Sequence, residues 1–174
     1  LTPLTYYVRL IALGMGLLII LVNWHQPDSR ERGEYFSMIL FSLLGVLLTA
    51  SANDWVVLFF AIELGSIPTY VLVALSRDDM RSSEAAIKYF FLGALSAALL
   101  VLGLVFLYGA TGTTVIHRIV DGRGVPLIQG GAATTTLSTV GLLLVVAGLG
   151  FKTAAVPFHA YVPDVYEGAA SPVA

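Results

Sequence analysis

The stretch FFAIELGSIPTYVLVAL, residues 59–75, decides the fold class. It is predominantly apolar and sits in a run long enough to cross a bilayer, which takes roughly 17–25 helical residues. Two of its residues are unusual in such a helix, the acid Glu63 and the imino acid Pro68. A charged side chain near the bilayer centre costs at least ~2.5–3.5 kcal/mol on insertion scales. A carboxylic acid at this depth therefore calls for an explanation, either structural or functional.

The composition of the whole chain is typical of a membrane protein. Of its 174 residues, 57% are apolar and 11% are charged, against about 25% charged residues in soluble domains. The mean hydropathy is +0.88. The net charge of −2 and the lack of a basic cluster argue against binding to nucleic acid. Without cysteine, this chain forms no disulfide and binds no iron–sulfur cluster through thiolates, and three histidines leave little to ligate haem or a metal.

The apolar runs predict an all-α, polytopic membrane protein with about five transmembrane helices and the start of a sixth. We expect one transmembrane domain over residues 1–174. Because the chain starts without methionine and stops at SPVA, we also expect it to be a fragment of a longer multi-span protein. The predicted spans are about 4–22, 35–52, 55–75, 84–108 and 137–157, and the chain re-enters apolar sequence after residue 163.

Arginine counts predict the orientation of these spans. The loops 23–34 and 76–83 lie on one side of the membrane and carry four arginines, and the turn 53–54 and the loop 109–136 lie on the other side and carry two. Cytoplasmic loops are enriched in basic residues. We therefore expect the first side to be cytoplasmic. The arginines counted are Arg30, Arg32, Arg77 and Arg81 against Arg118 and Arg123.

Glu63 lies more than about 10 Å from either end of its span at 1.5 Å per residue, too far for a short side chain to reach the interface. One interpretation is a neutral acid that only hydrogen-bonds a neighbouring helix. The other is a member of an ion or proton path, which intramembrane ionisable residues usually mark. Pro68 removes a backbone hydrogen bond and frees the carbonyl near Leu64, so we expect a break in the helix beside a hydrated pocket.

Lys88 allows two interpretations. It follows Glu84 by four residues, the spacing of an interfacial ion pair on one helix. Alternatively it is drawn inward toward Glu63 on the preceding, antiparallel span, although the two differ in depth by about 10 Å on ideal helices. A nearby carboxylate favours the charged lysine and burial favours the neutral one, so such a site would exchange a proton.

Lys152 lies in the apolar segment LLLVVAGLGFKTAAVPFHAY, and Pro157 follows it by five residues, as Pro68 follows Glu63. Broken helices in membranes occur where the backbone lines a cavity. Lys152 is therefore a candidate proton carrier, and a lysine that reaches out from a helix end is the alternative.

His159 follows this second break and is either a proton relay or a structural residue. Pro163 and the acid after it are explained by helix breaking and capping. We assign no catalytic role to Asp164, Tyr166 or Glu167.

Three stretches carry a resemblance to a known family. IELGSIPTYVLVAL (62–75), SSEAAIKYFFLGALSAALLVLGLVFLYGATGTT (82–114) and GLGFKTAAVPFHAYVPDVYEGAASPV (148–173) resemble the antiporter-like membrane subunits of respiratory complex I, the NADH–quinone oxidoreductase. The L- and M-type subunits tend to have PDAH where this chain has PDVY, which favours the N type, the counterpart of the mitochondrial 2-type and plastid B-type subunits. The resemblance covers most of residues 35–174, and ASPV at 170–173 replaces the usual PxPV.

This resemblance implies one half of an antiporter-like proton channel with a discontinuous helix. Protons would move along Glu63, Lys88 and Lys152, with help from His159, and Glu63 would modulate Lys88. Quinone reduction elsewhere in the complex would drive this movement, without covalent catalysis here.

The resemblance also implies a set of partners and cofactors. It places no cofactor in this chain, and NADH, FMN, iron–sulfur clusters and quinone in the whole complex. The implied partners are other membrane subunits and the lipid bilayer, so the chain would not function alone. The implied location is the bacterial inner membrane, with an organelle inner membrane or a thylakoid membrane as alternatives.

Three other functions stay open at this point. The first is an antiporter-like subunit of a sodium/proton antiporter or a membrane-bound hydrogenase. The sequence segment PDVYEGA argues against this function. The second is a structural membrane spacer, which would tolerate Glu63→Gln and Lys152→Met. The third is a quinone-binding subunit, which would need a lipid-accessible aromatic cavity beside the ionisable groups.

Overall fold

The computed structural model describes residues 3–24, 32–75, 80–116 and 132–169, the last range with side chains from residue 136 onward. Several features singled out in the sequence lie outside the described residues. These are ASPV at 170–173, the centre of the loop 109–136, His25, His117, Arg30, Arg77, Arg118 and Arg123.

In the described ranges the chain forms six helices. They are α1 (Pro3–Val22), α2 (Arg32–Thr49), α3 (Trp55–Ala74), α4 (Met80–Thr111), α5 (Ala132–Lys152) and α6 (Val162–Gly168). The first four are long and apolar enough to cross a membrane, and α5 contains a shorter apolar helix, Thr136–Lys152. The predicted all-α, multi-span membrane fold is confirmed.

The end of α5 corrects the predicted span, which was carried on to Pro157. The helix ends at Lys152 because Ala154 adopts the left-handed conformation, with φ 52°. The N–H of Ala154 donates to the carbonyl of Phe151 (3.0 Å), and the next N–H donates to the carbonyl of Gly150 (2.8 Å). This is the Schellman pattern of helix termination. The break therefore lies before the proline.

Neither of the other two prolines breaks a helix, contrary to the prediction. Helix α3 continues through Pro68, which lies inside it. Hydroxyl groups beside Pro68 make additional bonds to backbone carbonyls, from Ser66 to Ile62 (2.9 Å) and from Thr69 to Ser66 (2.6 Å). Pro163 lies in the first turn of α6, where a missing N–H costs nothing, so it begins a helix.

The chain falls into two compact units. The first contains Leu1–Ala52, Phe60–Phe91 and Tyr161–Ala174, and the second contains Asn53–Phe59 and Leu92–Ala160.

In the first unit, α1, α2 and α3 pack together. One buried cluster joins Tyr35 and Ile39 of α2 to Leu72 and Leu75 at the end of α3, with Ile20 of α1 packed against it.

Helices α2 and α3 approach most closely at two glycines. A Cβ atom on Gly45 would lie 2.3 Å from the backbone nitrogen of Gly65, and Ser42 Oγ donates to the Gly65 carbonyl (3.0 Å). Small residues and interhelical hydrogen bonds of this kind hold membrane helices together.

The first unit has a second cluster where the end of α3, the start of α4 and α6 meet. Val73, Ala85 and Ala86 are buried there, and Val165 of α6 packs against them. Ser82 is fully buried and donates from Oγ to the Val73 carbonyl (2.6 Å). This contact holds the first turns of α4 against α3.

In the second unit, the later part of α4 packs on α5. Ser96 Oγ donates to the Gly148 carbonyl (2.8 Å), and a Cβ atom on Gly103 would lie 2.7 Å from the Gly141 carbonyl oxygen. Small side chains again allow the two backbones to approach closely.

The turn that precedes α3 is joined in the same unit to the segment that follows α4. The Trp55 N–H donates to the Thr114 carbonyl (2.9 Å), and the Ile116 N–H donates to the Asn53 carbonyl (3.0 Å). The two segments therefore run antiparallel for a few residues, with a bridge at Asp54.

Candidate functional site

Glu63 lies in the middle of α3, and its Oε1 atom is buried. It shares one face of the helix with Ser66 and Tyr70, since residues spaced by three and four are neighbours on a helix surface. Ser66 Oγ donates a hydrogen bond to the Ile62 carbonyl (2.9 Å). An acid group at this depth is therefore followed along the helix by two hydroxyl groups.

Lys88 lies two turns into α4 and forms ion pairs with two carboxylates. Its Nζ atom is 2.8 Å from Glu84 Oε1 and 2.7 Å from Asp164 Oδ2. The pair with Glu84 is one of the two interpretations that the sequence allowed, and Asp164 is an addition from α6. The inward contact with Glu63 stays a prediction.

The distances in this group are those of charge-assisted hydrogen bonds. The Lys88 side chain is 43% exposed and the Asp164 side chain 45% exposed. Exposed ion pairs in water contribute only about 0–1 kcal/mol to stability. The ion pairs of Lys88 therefore add little to the stability of the fold.

A second ion pair joins α4 to α6, between Arg81 Nη1 and Glu167 Oε1 (3.0 Å). Gly168 lies so close to α4 that a Cβ atom on it would be 2.5 Å from the Ala85 Cβ and 2.8 Å from the Arg81 carbonyl oxygen. A cavity of about 250 Å³ is lined by the five charged side chains of the two ion-pair groups together with Ala85 and Gly168. Helix α6 is thus docked on α4 around a polar cavity.

Lys152 and His159 belong to the second unit. Lys152 is half-buried in the last turn of α5, where its positive charge suits the negative end of the helix dipole. His159 is exposed in the turns between α5 and α6. Within the described ranges, no three side chains of His, Cys, Asp or Glu come together as a metal site requires.

Three tyrosines form an aromatic cluster in the first unit. The rings of Tyr70 and Tyr89 meet edge to face with centroids 4.5 Å apart, and Tyr89 and Tyr161 are stacked at 5.3 Å. The Tyr89 hydroxyl shares a hydrogen bond with Thr69 Oγ1 (3.3 Å). This cluster lies between α3, the first turns of α4 and the segment that leads into α6.

The ion pairs of Asp164 and Glu167 with α4 were not predicted from the sequence, where Asp164 was explained by helix breaking and capping and Glu167 was assigned no catalytic role. The available signal was complementary charge at helical spacing, with Arg81 and Lys88 two turns apart on α4 and the two acids one turn apart on α6. A seven-residue helix has too little periodicity to indicate which helix it docks on. The tyrosine cluster, drawn from three separated segments, carried no signal of its own.

Residues 52–174 match the family described as NADH:quinone oxidoreductase/Mrp antiporter, TM. The chain is 47% identical over 166 residues to NADH-quinone oxidoreductase subunit N of Desulfovibrio desulfuricans, an alignment that covers 95% of this chain and 33% of that protein. It is 39% identical over 171 residues to F420H2 dehydrogenase subunit N of Methanosarcina mazei, covering 98% of this chain and 34% of that protein.

Among solved structures, respiratory complex I from Thermus thermophilus with bound aureothin contains a similar chain, with a TM-score of 0.78 and 34% sequence identity. That match covers 98% of this chain and 35% of the other. The chain thus spans about a third of the length of the curated relatives that it matches.

Proposed function

Because the chain belongs to the NADH:quinone oxidoreductase/Mrp antiporter transmembrane family, we propose that it forms part of a proton-translocating membrane subunit of an NADH–quinone oxidoreductase. The observation that carries this proposal is the ammonium group of Lys88, held between Glu84 and Asp164 in the same unit as the mid-helix acid Glu63. Ionisable groups in membrane helices usually mark ion or proton paths. The relative with 47% identity supports the choice of oxidoreductase.

In this proposal Lys88 holds a proton that it later passes on. Glu84 lies on the same helix as Lys88, whereas Asp164 is brought by the short helix α6. A movement of α6 away from α4 removes one of the two negative charges beside the ammonium group, so the lysine then releases its proton more readily. Glu63 modulates Lys88 by its own charge, and Lys152 and His159 continue the path as further proton-holding groups.

The remaining parts of the proposal concern the whole protein. Electron transfer takes place in other subunits, which hold NADH, FMN, iron–sulfur clusters and quinone, and this chain contributes proton movement alone. Its partners are other membrane subunits of the complex. The location that the bacterial relative supports is the bacterial inner membrane.

The test uses the full-length subunit in the whole complex, reconstituted into proteoliposomes. Protons taken up per NADH oxidised are measured for wild type and for Lys88→Met, which removes the charge and keeps most of the side-chain volume. Loss of a positioned proton-transfer group typically slows the transfer by about 100-fold or more, so the proton yield per NADH is expected to fall.

Arg81→Met is the matched control, because it removes the other ion pair between α4 and α6 and leaves Lys88 in place. We expect its proton yield to equal that of wild type. Equal losses in both variants would show that Lys88 only docks α6. A wild-type yield from Lys88→Met would contradict the proposal and favour the structural spacer.

A cation/proton antiporter subunit is the second candidate, because the family description also includes Mrp antiporters. In that case a sodium gradient, without NADH, would drive proton movement in the same vesicles. The relative from Methanosarcina mazei is named for F420H2 dehydrogenase. Vesicles supplied with either NADH or reduced F420 therefore decide the electron donor.

A further inference from the structure

Arg9 is a positively charged residue inside the membrane-spanning helix α1, which begins at Pro3. Within the part of the chain that the structure describes, its Nε atom is buried and makes no hydrogen bond. None of the ion pairs in the same residues includes Arg9. Charged side chains in membrane helices are costly unless they are paired or reach the interface. The counter-charge for Arg9 therefore comes from outside the described residues.

Arg9 lies close to one surface of the membrane. The six residues from the start of α1 cover about 9 Å. Tyr6 and Tyr7, which precede it, are both 62% exposed, as is typical of the aromatic belt at an interface. Side chains in a helix tilt toward its N-terminus, and arginines near a helix end extend to the interface. The guanidinium group is therefore placed to meet lipid phosphates on that side.

An apolar furrow runs between α1, α2 and α3 in the first unit. It consists of two adjoining cavities of about 350 Å³ and about 300 Å³, which share Ser42 and Val46 of α2. The first cavity reaches Thr49, the last residue of α2, and the second reaches Tyr35 in its first turn. Since α1 and α2 are consecutive and antiparallel, the end of α2 lies at the same membrane surface as the start of α1. The furrow therefore extends from the surface near Arg9 deep into the bilayer.

The face of α1 that lines the furrow contains Val8, Ala12 and Met15, which are spaced by three and four residues. Arg9 lies at the edge of this face, because it precedes Ala12 by three residues. Met15 and Val46 are 55% and 46% exposed, so the furrow is open to the surrounding lipid. A cation thus borders the end of the furrow that is near the membrane surface.

The interior of the furrow suits a hydrocarbon chain. Its serine and threonine hydroxyls are engaged with backbone carbonyls, from Ser42 to Gly65, from Thr49 to Gly45, from Ser66 to Ile62 and from Thr69 to Ser66. Most of the other lining side chains are aliphatic. The furrow therefore presents an apolar surface below a charged end, as the structure of a phospholipid requires.

We propose that the furrow binds one phospholipid with a net negative headgroup, whose phosphate pairs with Arg9 and whose acyl chain lies against α1, α2 and α3. Arginine binds phosphate through two parallel N–H···O bonds. The phosphate thus supplies the counter-charge that the described residues do not give to Arg9. This site does not depend on the proposed function, since it concerns only the lipid contacts of the first unit.

The test maps the lipid contacts of the whole complex, with the full-length subunit, in phosphatidylcholine vesicles. Two probes are compared, phosphatidylglycerol and phosphatidylcholine, each with the same photoreactive diazirine in its acyl chain, and labelled residues are identified by mass spectrometry. One basic residue near a membrane surface favours anionic lipid by about fivefold, so phosphatidylglycerol should label Met15 and Leu43 about five times more strongly. Both probes should label Leu142 and Leu143 equally, because these residues are exposed on α5.

Substitutions separate the charge from the furrow. Arg9→Gln should abolish the preference for phosphatidylglycerol, and Arg9→Lys, which keeps the charge, should retain most of it. Ala12→Phe fills part of the furrow and leaves Arg9 in place, so labelling by both probes should fall. The matched control is Leu17→Phe, which adds the same ring at an exposed position outside the furrow and should label as wild type does.

Equal labelling of the furrow by the two probes in wild type overturns the site, and this comparison needs no substitution. An unchanged preference in Arg9→Gln also overturns it, because Arg9 would then not bind the phosphate. If neither probe labels the furrow, another helix of the subunit or of a partner covers it and the proposal is wrong. None of these results bears on the proposed function, which the proton yield of Lys88→Met tests separately.

Discussion

At the scale of single residues, Asp54 ties the start of α3 to the segment after α4. Its Oδ1 atom accepts hydrogen bonds from the N–H groups of Val56 (2.8 Å) and Val57 (3.3 Å), and its other oxygen accepts from the Thr114 hydroxyl. The hydrogen bond from Thr114, followed by those from the two backbone N–H groups, lowers the pKa of Asp54 below its ordinary value. The ionised form of the Asp54 carboxylate is therefore the one that stabilises the contact between the start of α3 and the segment after α4.

The lowered pKa predicts a pH dependence. A depressed folded-state pKa gives stability that is present above the unfolded-state pKa of about 3.9 and is lost as the pH falls through the folded value. We expect Asp54→Ala to speed amide hydrogen exchange in residues 53–60 near neutral pH. The difference between wild type and the variant should begin to shrink below about pH 4 and should disappear once the pH is below the folded-state pKa of Asp54, after correction for intrinsic exchange rates.

The control for this prediction is Ser51→Ala, because within the described part of the chain the Ser51 hydroxyl bonds to carbonyls at the end of α2, those of Leu47 and Leu48. It should exchange as wild type does. Equal exchange in Asp54→Ala and wild type near neutral pH would show that this contact does not depend on the carboxylate.

Residue-level reasoning predicted part of the candidate site. The burial of a Glu63 oxygen follows from its position in a long apolar run, which the sequence alone makes visible. The pair of Lys88 with Glu84 follows from their spacing. The partner Asp164 lies 76 residues from Lys88, and no local pattern indicates a contact at that separation.

At the scale of elements, α6 is positioned by contact rather than by its own length. Seven residues are too few for a stable isolated helix. Gly168 permits the contact with α4, since a Cβ atom there would lie 2.5 Å from the Ala85 Cβ. We expect Gly168→Ala to displace α6 at a cost of about 1–3 kcal/mol, typical of overpacking, and so to lower the proton yield per NADH by separating Asp164 from Lys88.

A double variant tests whether this effect acts through Lys88. Residues that act through one contact show non-additive effects, so Gly168→Ala combined with Lys88→Met should pump no less than Lys88→Met alone. The control is Gly33→Ala in the first turn of α2, where an added Cβ meets no atom of the described residues within 4 Å. Fully additive losses would place the effect of Gly168 elsewhere.

The elements also show where sequence reasoning fails. The existence of α1 to α5 followed from long apolar runs. The positions of the prolines, however, were a poor guide to where these helices end or break. Pro68 is accommodated because it removes only one N–H from a helix that neighbouring helices hold in place. The end of α5 is decided by the left-handed conformation of Ala154. A glycine at this position would have indicated that conformation in the sequence, whereas an alanine does not.

At the scale of the whole molecule, composition was enough to predict a multi-span helical membrane protein, because few charged residues and long apolar runs leave little choice of class. The packing partners of each helix could not be predicted, since helices that are apolar on all sides present no distinguishable face. The orientation stays a prediction, because four of the six arginines that decide it lie outside the described residues.

Proton movement through the whole subunit should also depend on the second unit, which contains Lys152 at the end of α5. We expect Lys152→Met to lower the proton yield per NADH while NADH oxidation continues in the presence of a protonophore, because methionine keeps the apolar volume but cannot hold a proton. The control is Thr153→Ala, whose hydroxyl bonds, among the residues that the structure describes, to carbonyls in the last turn of α5, those of Leu149 (3.1 Å) and Gly150 (3.3 Å). A wild-type proton yield with normal electron transfer would instead make Lys152 a helix-end lysine that serves the dipole of α5 alone.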